Sequence, residues 1–294
     1  MMGGGLGAQL VTQTLNGLSF GMLLFLVASG LTVIFGLMRV LSLVHGSLYL
    51  VGGYVAFTVQ RATGTFHMAL GVAVLVCALL AFAIERLVHR QLYVGLQLNQ
   101  VLLTMGLAFV IGDSVLWVWG GNPQTVSPPE ILRGSLALGL GIRYPRYRLL
   151  IIGIGLATAV VFHLVWNRTR LGAVLRAGVD DAEMLRGLGL RIGIVLSAVF
   201  TSGGALAAFA GTLGGPFIGV YPGLDFEVIL LSVIIVVVGG VGSLMGALLG
   251  SIVIGLLDAF SKAYFPVFSY FAMFGPMIVI LAFKPTGLFG AHRT

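Results

Sequence analysis

Charge is what this sequence has least of. Its 294 residues include 16 Lys and Arg and 9 Asp and Glu, 9% in all, where a soluble domain carries about 25%. With 59% hydrophobic residues and a mean hydropathy of +1.10, it has too little polar surface to enclose its apolar mass in water. A soluble globular protein is therefore excluded, and the chain belongs in a lipid bilayer. Cys77 is the single cysteine, so an internal disulfide is excluded. No spacing of His, Cys or carboxylates fits a metal site. There are two lysines, Lys262 and Lys284, and they follow Ser261 and Phe283. The Gly-Lys-Ser/Thr of a phosphate-binding loop is thus missing, and with it an ATPase site of this kind. The first 38 residues carry no charge, so the basic start of a cleavable signal is absent and the first span is expected to be retained. The net charge of +7 is scattered over short loops rather than interleaved with aromatics in a stripe, which argues against nucleic acid.

What is there is a series of long apolar runs. A helical crossing needs about 20 apolar residues, and candidate spans lie at 15–37, 41–60, 68–88, 99–119, 149–167, 192–216 and 266–283. A further run, 227–260, is too long for one pass and is interrupted by "GGVGS" at 239–243. The expectation is an all-α polytopic membrane protein of eight or nine transmembrane segments, one domain over 1–294, with broken helices. Placing 85–90, 168–191 and the C-terminus on one side gives that side ten Lys and Arg against six, which makes it cytoplasmic. The 120–148 loop then faces outward.

One stretch breaks the apolar pattern. Residues 168–191 hold five arginines and three acids, 8 of the chain's 25 charged residues. Asp180 is expected to cap a short helix, with Asp181 and Glu183 at its positive end and Arg186 and Arg191 at its negative end. Met184, Leu185 and Leu188 fall on one apolar stripe, and Gly187 and Gly189 permit close approach by another surface. An apolar knob fenced by both signs of charge suits a socket in a partner protein better than a membrane surface, where the acids would be repelled by anionic headgroups.

The chain resembles the permease subunits of high-affinity branched-chain amino acid importers of the ABC type. The blocks that carry the resemblance are "NGLSFGMLLFLVASGLTVIFGLMRVLSLVHGSLYLVGGYVAF" (16–57), "TRLGAVLRAGVDDAEMLRGLGL" (169–190), "VVVGGVGSLMGALLGSIVIGLL" (236–257) and "KPTGLFG" (284–290). They cover about a third of the chain, and the last has Lys where the family usually has Arg. The resemblance implies an inner-membrane permease without its own ATPase site. ATP and Mg would sit on two ATP-binding cassette partners, beside a second homologous permease and an external solute-binding protein. It also implies that Arg176 and the 180–190 segment form the coupling helix through which the ATPases act.

Forty-four glycines mark packing faces and breaks. Gly242, Gly246 and Gly250 recur at four-residue spacing, which makes a flat helix face. The pairs Gly52-Gly53 and Gly239-Gly240 are expected to act as breaks or hinges. "HGSLYLVGGYV" (45–55) and "VGSLMGALLGS" (241–251) look alike, the mark of an internal repeat with a pathway at its interface. His45, Gly46, Ser47 and Tyr49 belong to the first copy and Ser243 to the second. Asp113, mid-span, is a further pathway candidate, because intramembrane carboxylates are costly. In the outward loop, Arg143, Arg146 and Arg148 of "RYPRYR" are candidates for docking acidic residues of the binding protein, or for neutralising headgroups or Asp225 and Glu227. Two rival readings are an autonomous carrier or channel using Asp113 and Asp258, and an intramembrane serine protease. The latter would use "GLSFG" (17–21), with Ser19 as nucleophile and His45 or His163 as base. Gly17 and Gly21 are equally the Gly-x-x-x-Gly of helix packing. Leucine, isoleucine and valine are the expected substrates, with other amino acids, amides, urea and aromatic acids open.

Overall fold

A computed structural model describes residues 5–38, 41–89, 97–139, 142–180, 187, 192–284 and 286–289. Among them are ten α-helices: α1 (Leu6–Met38), α2 (Val44–Thr63), α3 (Phe66–Ile84), α4 (Gln97–Trp119), α5 (Arg146–Arg168), α6 (Arg170–Asp180), α7 (Ile192–Ile218), α8 (Leu224–Gly239), α9 (Leu244–Tyr264) and α10 (Ser269–Phe283). Six of these (α1, α3, α4, α5, α7 and α9) are long and apolar enough to cross a membrane. The 227–260 run divides as expected, but α8 begins three residues earlier, at Leu224 behind the left-handed Gly223. The last expected span opens as a 3-10 turn, Pro266–Phe268, before α10. A two-stranded hairpin, β1 (Ser135–Ala137) against β2 (Arg143–Pro145), lies within the long loop.

α1 is the hub. Its 33 residues rise about 50 Å, and it packs most extensively on α9 and then on α7. Lipid tails are as apolar as leucine, so helix association relies on close backbone approach rather than on hydrophobic exclusion. Small residues supply that approach. A Cβ at Gly21 would stand 2.6 Å from the Ser251 carbonyl oxygen, and one at Gly17 would stand 2.7 Å from Leu256 Cα. Gly255 of α9 fits between Gly17 and Gly21, with no room for a side chain. α2 enters the same core, with Gly52 against Ala208 of α7. α4 and α5 line the periphery.

Interhelix contacts sort the loops into two ends. At one end Gln60 holds Ser127 through two hydrogen bonds of 2.7 and 2.8 Å. There too Gln124 pairs with Val220, and Trp119 donates to Thr58 at 2.7 Å. At the other end Thr104 accepts from the Leu43 N–H, and Ser197 donates to the buried Glu85. The backbone after α10 pairs there with Val238 and Gly239.

Candidate functional site

The expected coupling segment begins with a tight corner. Thr169 donates to the Val165 carbonyl and accepts from Gly172 N–H, a hydroxyl cap on the start of α6. Gly172 sits so close to the carbonyls of Val165 and Trp166 that a side chain would collide. α6 packs Val174, Leu175 and Ala177 against the core and leaves Arg176 half-buried. Asp180, expected as an N-cap, is instead the last residue of α6. The reason is that 170–180 forms its own amphipathic helix, capped from Thr169. Gly187 is helical and exposed, with open space where a Cβ would be. Asp181, Glu183, Met184, Leu185, Leu188 and Gly189 lie outside the described residues.

The two Gly-Ser-Leu blocks both meet α8, at opposite ends of it. Gly46 presses on the Asp225 backbone and Ile229, and the Ser47 hydroxyl donates to Asp225 at 3.4 Å. Asp225 is buried at the start of α8, where the helix dipole favours an acid. At the far end Gly246 meets Gly239 backbone to backbone, and Ser243 caps α9 by accepting from Gly246 N–H at 3.0 Å. Of the glycine expectations, two change here. Gly52-Gly53 is not a break, because both glycines lie inside a continuous α2 pressed on Ala208 and Val220. Gly242 belongs to the turn, at φ 79°, and not to the flat face that Gly246 and Gly250 form. Gly239-Gly240 is a true break, with Gly240 at φ 99°.

His45 is buried, with Nε2 3.0 Å from the Val27 carbonyl oxygen. His163 lies on the exposed face of α5 beside Asn167. Ser19 donates to the Asn16 carbonyl oxygen and sits 3.3 Å from the Tyr144 hydroxyl, so neither histidine is placed as its base. Asp113 is exposed on α4, while its neighbour Gly112 lies against the Asp225 carboxylate.

A cleft opens where α1, α5, α7 and α9 meet, and beside it a chamber lies among α1, α2, α8, α9 and α10. The cleft, about 330 Å³, is polar and holds Asn16, Arg148, Asp258 and Lys262. The chamber, about 370 Å³, is walled by leucine, valine and phenylalanine and holds Tyr49, Tyr221 and Glu227. Phe20, Ile218, Asp258 and Lys262 line both, so the two are neighbours with a shared wall. Arg148 donates to Asn16 Oδ1 at 2.5 Å and lies over the Phe217 ring. It is therefore turned inward, while Arg143 and Arg146 are exposed. Among the described residues the ion pairs are Glu130–Arg133 and Asp258–Lys262, so none of the three arginines neutralises Asp225 or Glu227. Sequence reasoning missed Asn16, Tyr221 and Lys262 as site residues. The i,i+4 spacing of Asp258 and Lys262 was the one available signal.

Residues 13–281 match the family described as the permease component of branched-chain amino acid transport systems. The chain belongs to that family. It is 29% identical over 293 residues to the high-affinity branched-chain amino acid transport system permease protein BraD of Pseudomonas aeruginosa, covering 95% of each chain. To the corresponding protein LivH of Escherichia coli it is 28% identical, covering 95% of this chain and 94% of that one. The fold is similar to a solved structure, PsaBC from Streptococcus pneumoniae in complex with Fab. The TM-score is 0.52 at 13% identity, covering 91% of this chain and 89% of that one. The chain is thus a multi-pass membrane permease, and its small-residue contacts are those of a helical transport subunit.

Proposed function

We propose that this permease is one membrane-spanning subunit of an ATP-driven ABC importer that carries branched-chain or related amino acids inward by alternating access. The observation that carries the reading is kinship along nearly the whole chain to relatives named for branched-chain amino acid transport. A second homologous permease would complete the pathway. Two ATP-binding cassette subunits would hold ATP and Mg, which fits a chain without a phosphate-binding lysine. They would engage the 168–191 segment, which follows α5. That segment and the C-terminus are cytoplasmic in this reading, by the excess of Lys and Arg. A soluble binding protein would dock at the long loop, where Arg143 and Arg146 present charge suited to carboxylates.

The test is purification of the tagged chain followed by uptake in proteoliposomes. The expected result is that ATPase subunits copurify and that labelled leucine accumulates only with ATP and the binding protein. Leucine uptake driven by an ion gradient without ATP would replace the importer with a secondary carrier.

A further inference from the structure

The cleft and chamber carry an arrangement of charge that packing alone does not require. Lys262 Nζ lies 2.8 Å from Asp258 Oδ1 and 5.6 Å from the centre of the Phe20 ring. Phe20 stacks on Phe217, with centroids 6.3 Å apart and planes 7° from parallel. The Arg148 guanidinium lies 4.6 Å over the other ring. Two cations thus flank a pair of stacked phenyl rings, each held by a ring quadrupole, and both open into one cleft. Asp258 is the one carboxylate lining that cleft, so the rim carries excess positive charge and suits an anion.

On the chamber side the sign reverses, with an exposed carboxylate at its wall. Glu227 accepts from the Tyr221 hydroxyl at 2.8 Å and pairs with no cation among the described residues. Tyr49 lines the chamber at 2% exposure, its hydroxyl seated against Gly214 with no hydrogen-bond partner among the described residues. A buried, unpaired hydroxyl costs roughly 1–3 kcal/mol. The remaining walls, Leu24, Val228 and Leu231 among them, are aliphatic.

We propose that the cleft and chamber form one vestibule for a free α-amino acid with an aliphatic side chain. Arg148 and Lys262 receive its carboxylate, Glu227 and Tyr49 its ammonium, and the aliphatic walls its side chain. The Asp258–Lys262 pair stands at the junction of cleft and chamber, where Lys262 exchanges its partner from Asp258 to the passing carboxylate. This inference rests on the importer reading above and assigns residues to it.

The test uses the complete importer in proteoliposomes, with wild-type uptake of leucine as the control on the importer reading itself. Uptake that fails in wild type refutes the importer, whereas wild-type uptake with unaffected variants refutes only the vestibule. Tyr49→Phe removes one oxygen that makes no hydrogen bond among the described residues. It is expected to lower the maximal uptake rate about fivefold with an unchanged melting temperature, where a purely structural hydroxyl would leave uptake unchanged. Glu227→Gln and Lys262→Met are each expected to lower uptake roughly tenfold or more, as the loss of a charged hydrogen bond does. The binding protein's own affinity for leucine should not change. A diazirine analogue of leucine, photolysed during turnover, is expected to label peptides 218–231 and 258–274. Labelling confined to other helices overturns the proposal. So does labelling abolished by adding phosphatidylethanolamine to phosphatidylglycerol vesicles, which would show that a zwitterionic lipid headgroup occupies the vestibule.

Discussion

α1 and α4 are two long apolar helices that end in opposite places. In the most apolar 18 residues of each, 83% are buried in α1 but 17% in α4. Their hydrophobicity does not separate them. What does is side-chain size: α1 offers Gly17, Gly21 and Gly30 to its neighbours, each of which admits another backbone. α4 turns Leu102, Phe109, Val110 and Trp117 outward. In water the greasier helix would go inside; in lipid the smoother one does, because van der Waals contact replaces hydrophobic exclusion as the source of affinity.

The comparison is broken most violently by filling a glycine on the inner side. Gly255→Leu and Gly246→Leu each drive a side chain into backbone, at Gly17 and Gly239 respectively. Both are expected to cost about 3 kcal/mol or more and to leave little assembled protein, as read by size-exclusion yield and thermal unfolding in detergent. Gly106→Leu on α4 meets open space and should be neutral in the same assay. Equal losses for the inner and outer variants would show that small residues do not set which helix is central.

Next in size is the segment that follows α6, the helix that packs Val174 and Leu175 against the core. Leu185→Asp or Leu188→Asp is expected to abolish ATP-driven uptake while insertion and yield stay normal. Loss of a central apolar contact at an interface costs about 2 kcal/mol or more, which copurification of ATPase subunits would report. Uptake at the wild-type rate would remove the coupling role.

A smaller effect separates the exposed arginines from the inward one. Reversing Arg143 and Arg146 to Glu should weaken binding-protein-dependent uptake roughly three- to tenfold at low salt. It should also flatten the salt dependence, since screened attraction is what is removed. Retention of full, equally salt-sensitive uptake would place docking elsewhere. The smallest effect is expected at Asp113, which is exposed on α4 while Asp225 and Asp258 are buried. Asp113→Leu should change uptake by less than about twofold and should stabilise the protein slightly, because a carboxylate facing lipid is costly. A large loss of uptake, or failure to pair with the second permease, would show that α4 faces protein rather than lipid.

Several features of the site are legible in the residues alone. Gly239-Gly240 as a break follows from two residues without side chains in an otherwise β-branched and leucine-rich run. Ser47 and Tyr49 stand out because polar groups are rare in such a chain, and both lie at contacts of consequence. Arg148 is legible as a charge but not as an inward one. Its direction depends on Asn16 and Phe217, which are 132 and 69 positions away, and no local pattern links them. The start of α6 depends on a hydroxyl cap at Thr169, a weaker signal in the sequence than the acidic cluster farther along.

By itself, then, the sequence determined the solvent and the kind of subunit. Scarce charge and long apolar runs leave no other phase for the chain, and lipid leaves no other backbone than helix. Its blocks of small and charged residues determined the family. Only the tertiary structure decided which apolar helix lies at the centre and which carboxylates face inward. It alone decided that Arg148 and Lys262 share one cleft and that Lys262, Glu227 and Tyr49 line the chamber beside it. The reason is that hydropathy is a property of each residue, whereas helix order in lipid is settled by the fit between surfaces distant in sequence.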